Sequence, residues 1–334
     1  MVLRILKPMD NERIKDLGEK ELIIRLSKYM PKNQTKDDCA SLSIAHKNLL
    51  INTDLMVEDT HFNDKIIDPK DLGWKSVTTN FSDLISSGCV EFIGINIGLI
   101  INPETKWYWI KEFYEGACEA LKYYGGVILG GDCSKGGKTA ISVTAIGLQG
   151  ELSLRKYSSR PEEIIITTGY HGLSKLGYLL KQSKINEDIS KLTKELISQS
   201  LNSFQRPKPK RDFLENIIKS RLNTDHVEIG CTDSSDGLYQ AINDLAVTSN
   251  CKAIIDYSKL PKYKNWPNGN NWDEYYFYGG EDYELIFSLP KDWAKRYLDL
   301  DTTSYEIGKF IKDIPSVEII NSPLAIQGNS YSHF

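Results

Sequence analysis

Apolar runs that break onto an aspartate recur through this chain. Leu49-Leu50-Ile51-Asn52-Thr53 leads into Asp54, and Val127-Ile128-Leu129-Gly130-Gly131 leads into Asp132. Val227-Glu228-Ile229-Gly230-Cys231-Thr232 leads into Asp233, with Asp236 close behind. Each run reads as a strand, so each carboxylate is expected at a strand end, held rigidly. Several such carboxylates side by side repel one another unless a hard divalent cation sits between them. The pattern points to a multi-metal site, and Mg²⁺ sites of that kind handle phosphates. Asp37-Asp38 and Glu281-Asp282 add two further acidic clusters.

The runs are set in a mixed succession of helices and strands. Strands are expected at 49–54, 92–101, 127–129, 139–148, 164–166, 227–231, 253–256 and 283–289, with two short ones near the end. Helical spacing marks 17–30, the stretch from Pro69 to Gly88, 103–124, 172–182, 190–204, 211–221, 237–249 and 293–298. The segment 262–273, rich in Asn, Gly and Pro, reads as a loop. Strict alternation is absent, which fits two α+β lobes better than one doubly wound sheet. At 334 residues the chain suits two domains. The polar, turn-rich segment 149–162 marks the boundary, giving lobes 1–150 and 151–334.

Composition excludes several classes. A net charge of −4 argues against a protein that coats nucleic acid. The longest apolar run, 92–101, is about half the roughly 20 residues of a membrane helix. The N-terminal stretch is too short in apolar residues for a signal peptide, so a cytoplasmic location is expected. The six cysteines are scattered, with no Cys-x-x-Cys, and the five histidines lack metal-ligand spacing. No Walker A sequence occurs. The glycine-rich stretch from Gly169 to Gly177 reads as a strand-to-helix turn with a close-packed glycine, not a phosphate loop.

Any one of the aspartates could be an N-cap or turn residue. Asp83 is harder to treat so, because it lies in Asn80-Phe81-Ser82-Asp83-Leu84 on a mostly apolar helix, where an unpaired charge is costly to bury.

These segments resemble those of the thiamine-monophosphate kinases, in the superfamily that also holds aminoimidazole ribonucleotide synthetase and selenophosphate synthetase. The resemblance is carried in order by Gly18-Glu19-Lys20-Glu21-Leu22-Ile23, Asp37-Asp38-Cys39-Ala40, Thr53-Asp54 with Val57 and His61-Phe62, and Asn80 to Leu84. It continues through Gly130-Gly131-Asp132, Arg206-Pro207-Lys208-Pro209-Lys210, Asp233-Ser234-Ser235-Asp236-Gly237-Leu238 and Gly279-Gly280-Glu281-Asp282-Tyr283-Glu284-Leu285 to Tyr331-Ser332-His333-Phe334. It implies a two-lobed α+β fold like that of aminoimidazole ribonucleotide synthetase, with N-terminal strands packing across a homodimer interface. It implies Mg²⁺ ligands at Asp37, Asn52, Thr53, Asp54, Asp83, Asp132, Asp233 and Asp236. ATP would meet Gly131, Asp132, Arg155 and Ser235, and thiamine monophosphate would meet His61, Glu281 and Gly328. No residue is assigned a catalytic role beyond these ligands.

Lys36, Asn52, Leu55, Glu162-Glu163 and Gly328 depart from the family pattern. At 328 an aromatic residue is usual, so ring stacking would fall to Trp272 or Tyr331. The implied reaction is direct in-line transfer of the ATP γ-phosphoryl group to the substrate's phosphate. The alternatives are another ATP-dependent enzyme of the superfamily or a non-catalytic ion-binding relative.

Overall fold

Ile141, Val143 and Ala145 are buried and alternate with half-buried Ser142, Thr144 and Ile146, the period of a strand with one covered face. That strand, β5 (Ala140–Gln149), lies at the centre of the first sheet. The computed structural model describes residues 40–44, 47–185, 189–222 and 228–322. The first sheet has five strands in the order β1-β2-β5-β3-β4, the others being β1 (Ala40–Ile44), β2 (Lys47–Val57), β3 (Cys89–Ile101) and β4 (Val127–Lys135). All neighbours are antiparallel except β3 and β4, which are parallel and joined through helix α2 (Trp107–Tyr124). Helix α1 (Pro69–Ser86) links β2 to β3, with proline at its first turn.

The second sheet has seven strands in the order β12-β9-β11-β7-β10-β8-β6. These are β6 (Ser153–Arg155), β7 (Ile164–Thr167), β8 (Glu228–Asp233), β9 (Lys252–Asp256), β10 (Leu285–Leu289), β11 (Tyr305–Ile311) and β12 (Ser316–Ile320). Its helices are α3 (Leu173–Gln182), α4 (Lys194–Gln205), α5 (Phe213–Ser220), α6 (Leu238–Thr248), α7 (Asn270–Tyr278) and α8 (Lys291–Leu300). Strand β10 shows how both faces are covered. Leu285, Phe287 and Leu289 enter one core and Ile286 the other.

The first of those cores also contains the inner face of the five-stranded sheet, so apolar packing is continuous from Leu50 and Val143 to Phe287 and Tyr297. Helix α1 stands in the middle and is buried on nearly every side. A helix in that position is normally apolar all round. This one buries Lys75, Ser76, Thr78, Thr79, Asn80, Ser82 and Ser86. Much of that polarity is satisfied within the helix: Ser76 Oγ donates to Gly73 O, Thr78 Oγ1 to Trp74 O, and Asn80 Nδ2 to Ser76 O. Three of these residues reach outward, as described below.

Two sequence expectations are corrected. Asp54 and Asp132 do not end their strands. The ladder of β2 with β5 runs on to Val57, and that of β4 with β3 to Lys135, because the hydrogen bonds are made by backbone and ignore the side chain. Asp233 alone of the three closes its strand. The supposed loop 262–273 contains the start of α7, whose run of aromatic residues from Tyr275 to Tyr278 hid the helical period. The helix expected at 17–30 lies outside the described residues.

Candidate active site at the junction of the two sheets

The inward register of β2 is Leu50, Asn52, Asp54 and Met56, so two polar side chains face the core beside two apolar ones. They meet α1. Asn52 Nδ2 donates to Asp83 Oδ2 at 2.8 Å and to Asn80 Oδ1 at 3.1 Å. Those two acceptors fix the amide's orientation, because the flipped form would set oxygen against oxygen. Asn52 Oδ1 is consequently turned away, buried and without a hydrogen-bond partner. An orphaned amide oxygen beside carboxylates is the donor a hard cation takes.

Between Asn80 and Asp83 on α1, Ser82 brings in the second sheet. Ser82 Oγ donates to Asp233 Oδ2 at 2.5 Å, while Ser235 donates to Asp233 Oδ1 from its backbone at 3.2 Å and its hydroxyl at 2.7 Å. Three hydrogen bonds thus converge on one buried carboxyl, whose oxygens accept them.

The loop 279–284 closes the site. Glu281 N–H donates to Ser235 O at 2.7 Å, Ser234 N–H to Glu284 O, and Glu284 N–H to Ser234 Oγ. The approach is so close that a Cβ on Gly280 would stand 2.3 Å from Ser235 O. Glu281 and Tyr283 both have positive φ, +67° and +54°, a left-handed conformation costly for side-chain-bearing residues. The loop's carboxyls have separate tasks. Asp282 accepts the N–H groups of Gly172 and Ser174 at the start of α3, although burial pushes its carboxyl up to about 8. Glu284 accepts from Thr168 Oγ1 at 2.6 Å and is pushed up to about 7, again by burial. Glu281 accepts from Lys75 Nζ at 3.0 Å.

Tyr283 is buried in the same loop. Its buried phenol is held well above its ordinary range, first by burial and then by the negative charges of Glu281, Asp54, Asp233 and Asp83. Those four residues come from α1, β2, the end of β8 and the loop 279–284. Among the described residues, no three His, Cys, Asp or Glu side chains already stand at metal-binding distance. The chemistry of the donors, all oxygen with an orphaned amide among them, fits a Mg²⁺-type ion.

The remaining candidates lie elsewhere. Asp132 pairs with Gly98 and, through it, with Ser142 and Leu55, on the sheet face opposite Asp54. Two strands separate β2 from β4, so the backbones are about 14 Å apart. Gly131 is beside it, where a Cβ would stand 1.9 Å from Ile97 O. Thr53 also faces that open side, its Oγ1 2.8 Å from Thr144 Oγ1. Arg155 lies on edge strand β6, paired with Gly230 and donating to Leu154 O. His61 follows β2, its Nδ1 accepting from Val57 N–H at 3.0 Å. Asp236 is exposed just past Ser235. Asp37 and Gly328 lie outside the described residues. The sequence reading missed Lys75 and Asn80. A lysine in a helix reads as surface, and only the packing of α1 between two sheets reveals otherwise.

Residues 36–149 match the family described as AIR synthase related protein, N-terminal domain. The architecture, with its acidic junction, is that of the AIR synthase-related fold. Over 327 residues the chain is 40% identical to a thiamine-monophosphate kinase of Prochlorococcus marinus, covering 97% of this chain and 98% of that protein. A thiamine-monophosphate kinase of Synechococcus elongatus is 29% identical, with 93% and 94% covered. Among solved structures, AaThiL complexed with AMPPCP and TMP superposes with a TM-score of 0.83 at 28% identity, covering 97% of this chain and 99% of that one. This chain belongs to the thiamine-monophosphate kinase family.

Proposed function

We propose that the chain transfers the γ-phosphoryl group of ATP to thiamine monophosphate, giving thiamine diphosphate and ADP. The observation that carries this reading is the hydrogen-bonded junction in which α1 meets Asn52 through Asp83, Asp233 through Ser82 and Glu281 through Lys75, in a chain that matches thiamine-monophosphate kinases end to end. The acceptor is a phosphate monoester whose second pKa is about 6, so it is already ionised at neutral pH and needs no strong base. The barrier is the approach of two polyanions in line. Asn52, Asp54, Asp83 and Asp233 would hold Mg²⁺ at the junction; Thr53 and Asp132, on the other face of the sheet, would serve a separate ion, and Asp37 and Asp236 are the remaining ligands that the family resemblance implies. Bound there, Mg²⁺ supplies neutralisation of phosphate charge and a template for the transfer. Ser82 and Ser235 keep the Asp233 carboxylate in place, and Asn80 and Asp83 keep the Asn52 oxygen facing away from them. Gly131, Asp132, Arg155 and Ser235 would meet ATP; His61, Glu281 and the segment around Gly328 would meet the substrate.

The active unit is a homodimer. The open face of the five-stranded sheet carries Leu55 and Ile100, 63% and 45% exposed, together with Thr53 and Asp132. A second copy laid on this face would cover the apolar side chains and bring Asp132 into the interface. No described helix is long and apolar enough to cross a membrane, in keeping with a cytoplasmic enzyme. The test is Mg²⁺-dependent formation of ADP and thiamine diphosphate by the purified chain. No product above a no-enzyme control, with folded protein and saturating Mg²⁺, would sink the reading.

A further inference from the structure

Lys75 is the most deeply buried ammonium group described at the site, at 3% exposure on the inner surface of α1. Such a charge is retained only when it is paired. Its Nζ donates to Glu281 Oε2 at 3.0 Å and stands 4.2 Å from the centroid of the Phe204 ring, which offers its negative face to the cation. The pair is lopsided: the side chain of Lys75 is 4% exposed and that of Glu281 40%. The cation is therefore fixed by helix, ring and packing, while the carboxylate looks outward. Glu281 also stands in a left-handed backbone conformation, tied through its N–H to Ser235 O, and Ser235 in turn donates to the Asp233 carboxyl. A second carboxylate beside Asp233 would be repelled outward without a counter-charge.

We propose that Lys75 is a positioning residue for substrate capture, whose buried ammonium holds Glu281 against repulsion from the neighbouring carboxylate so that its open side meets thiamine monophosphate. The proposal rests on the kinase reading and adds a residue to it. Phe204 and Gly280 belong to the same device: the ring keeps the ammonium seated, and the missing side chain lets the loop close on Ser235.

The experiment is steady-state kinetics on the full chain with Lys75→Met, Lys75→Arg, Glu281→Gln and the double variant Lys75→Met/Glu281→Gln, each checked for folding by circular dichroism. Lys75→Met should raise KM for thiamine monophosphate at least tenfold and shift KM for ATP less than threefold. Lys75→Arg should recover most of the loss, and the double variant should be no worse than Glu281→Gln. A merely structural lysine would instead lower thermal stability, move both KM values together, and add to the effect of Glu281→Gln. A folded Lys75→Met with parental KM, or full additivity in the double variant, overturns the proposal. Should Lys75→Met not fold, Glu281→Gln and Lys75→Arg decide it, since Glu281→Gln at parental KM overturns it as well. A parent chain inactive on thiamine monophosphate overturns the kinase reading and this proposal together, whereas an active parent with an indifferent Lys75 overturns this proposal alone.

Discussion

Ser82→Ala removes one oxygen and tests the tie between helix α1 and the second sheet. Ser82 and Asp233 are both buried, and the hydroxyl donates to Asp233 Oδ2 at 2.5 Å. A hydrogen bond to a charged group contributes about 1.5–3 kcal/mol, and the carboxylate left short of a donor bears the loss because water is excluded. The other oxygen keeps its two donors from Ser235, so the carboxylate is weakened and not orphaned. We therefore expect a loss of about 2 kcal/mol, roughly thirtyfold in the folding equilibrium. Urea unfolding in EDTA, followed by tryptophan fluorescence, measures it as a lower midpoint at unchanged slope. Repeated in saturating Mg²⁺, the deficit should shrink, because a cation on Asp233 takes over the work of the lost donor. A loss below about 0.5 kcal/mol would be that of an ordinary surface change and would refute the argument.

Asn52→Asp sets a carboxylate against Asp83 in place of an amide donor. It should lower the melting temperature in EDTA and regain most of it in Mg²⁺, and an equal loss in both media would count against a cation there. Asp54→Asn should cut turnover by orders of magnitude yet raise metal-free stability by relieving repulsion. Asp132→Asn should cut turnover to a similar extent, and near-parental rates in both would reject their assignment as metal ligands. Glu163, pushed from its ordinary 4.5 up to about 7 by burial, holds its proton more tightly folded than unfolded. Its stabilising contribution is complete below pH 4.5 and is lost as pH rises through about 7. Glu163→Gln can still accept from Arg160 N–H and Ser288 Oγ. Between about pH 4.5 and 8 it should gain about 3 kcal/mol on the parent, and a pH-independent difference in urea melts would refute this.

How much of this could be read from sequence differs from residue to residue. The alternation around Val143 and the apolar spacing of α1 were plain, because both periods are local. Asp83 stood out for a local reason too, a charge among apolar helix neighbours. Asp132 was legible as a carboxylate after two glycines, but its facing was not. The face follows from the β3–β4 register, which shifts between Ile95 and Asn96, and a shift of one residue turns a strand over. Lys75 gave no signal at all, since its partner Glu281 lies more than 200 residues away in sequence. The helix Asn270–Tyr278 was hidden by its own composition, with turn-forming residues at its start and contiguous aromatics at its end.

Helix α1 can also be regarded as a ruler. Lys75 and Asp83 are eight positions apart, which sets them about 12 Å from each other along one stiff axis. Between them Asn80 clasps the first sheet and Ser82 the second. A rotation of one sheet against the other would shear all of these contacts at once, so the junction has no free hinge. The distance between the charge that steadies Glu281 and the carboxylate beside Asn52 is thus built into a single rod. Admission and release of substrate must then depend on the segments around this rod, while the rod itself keeps the spacing constant.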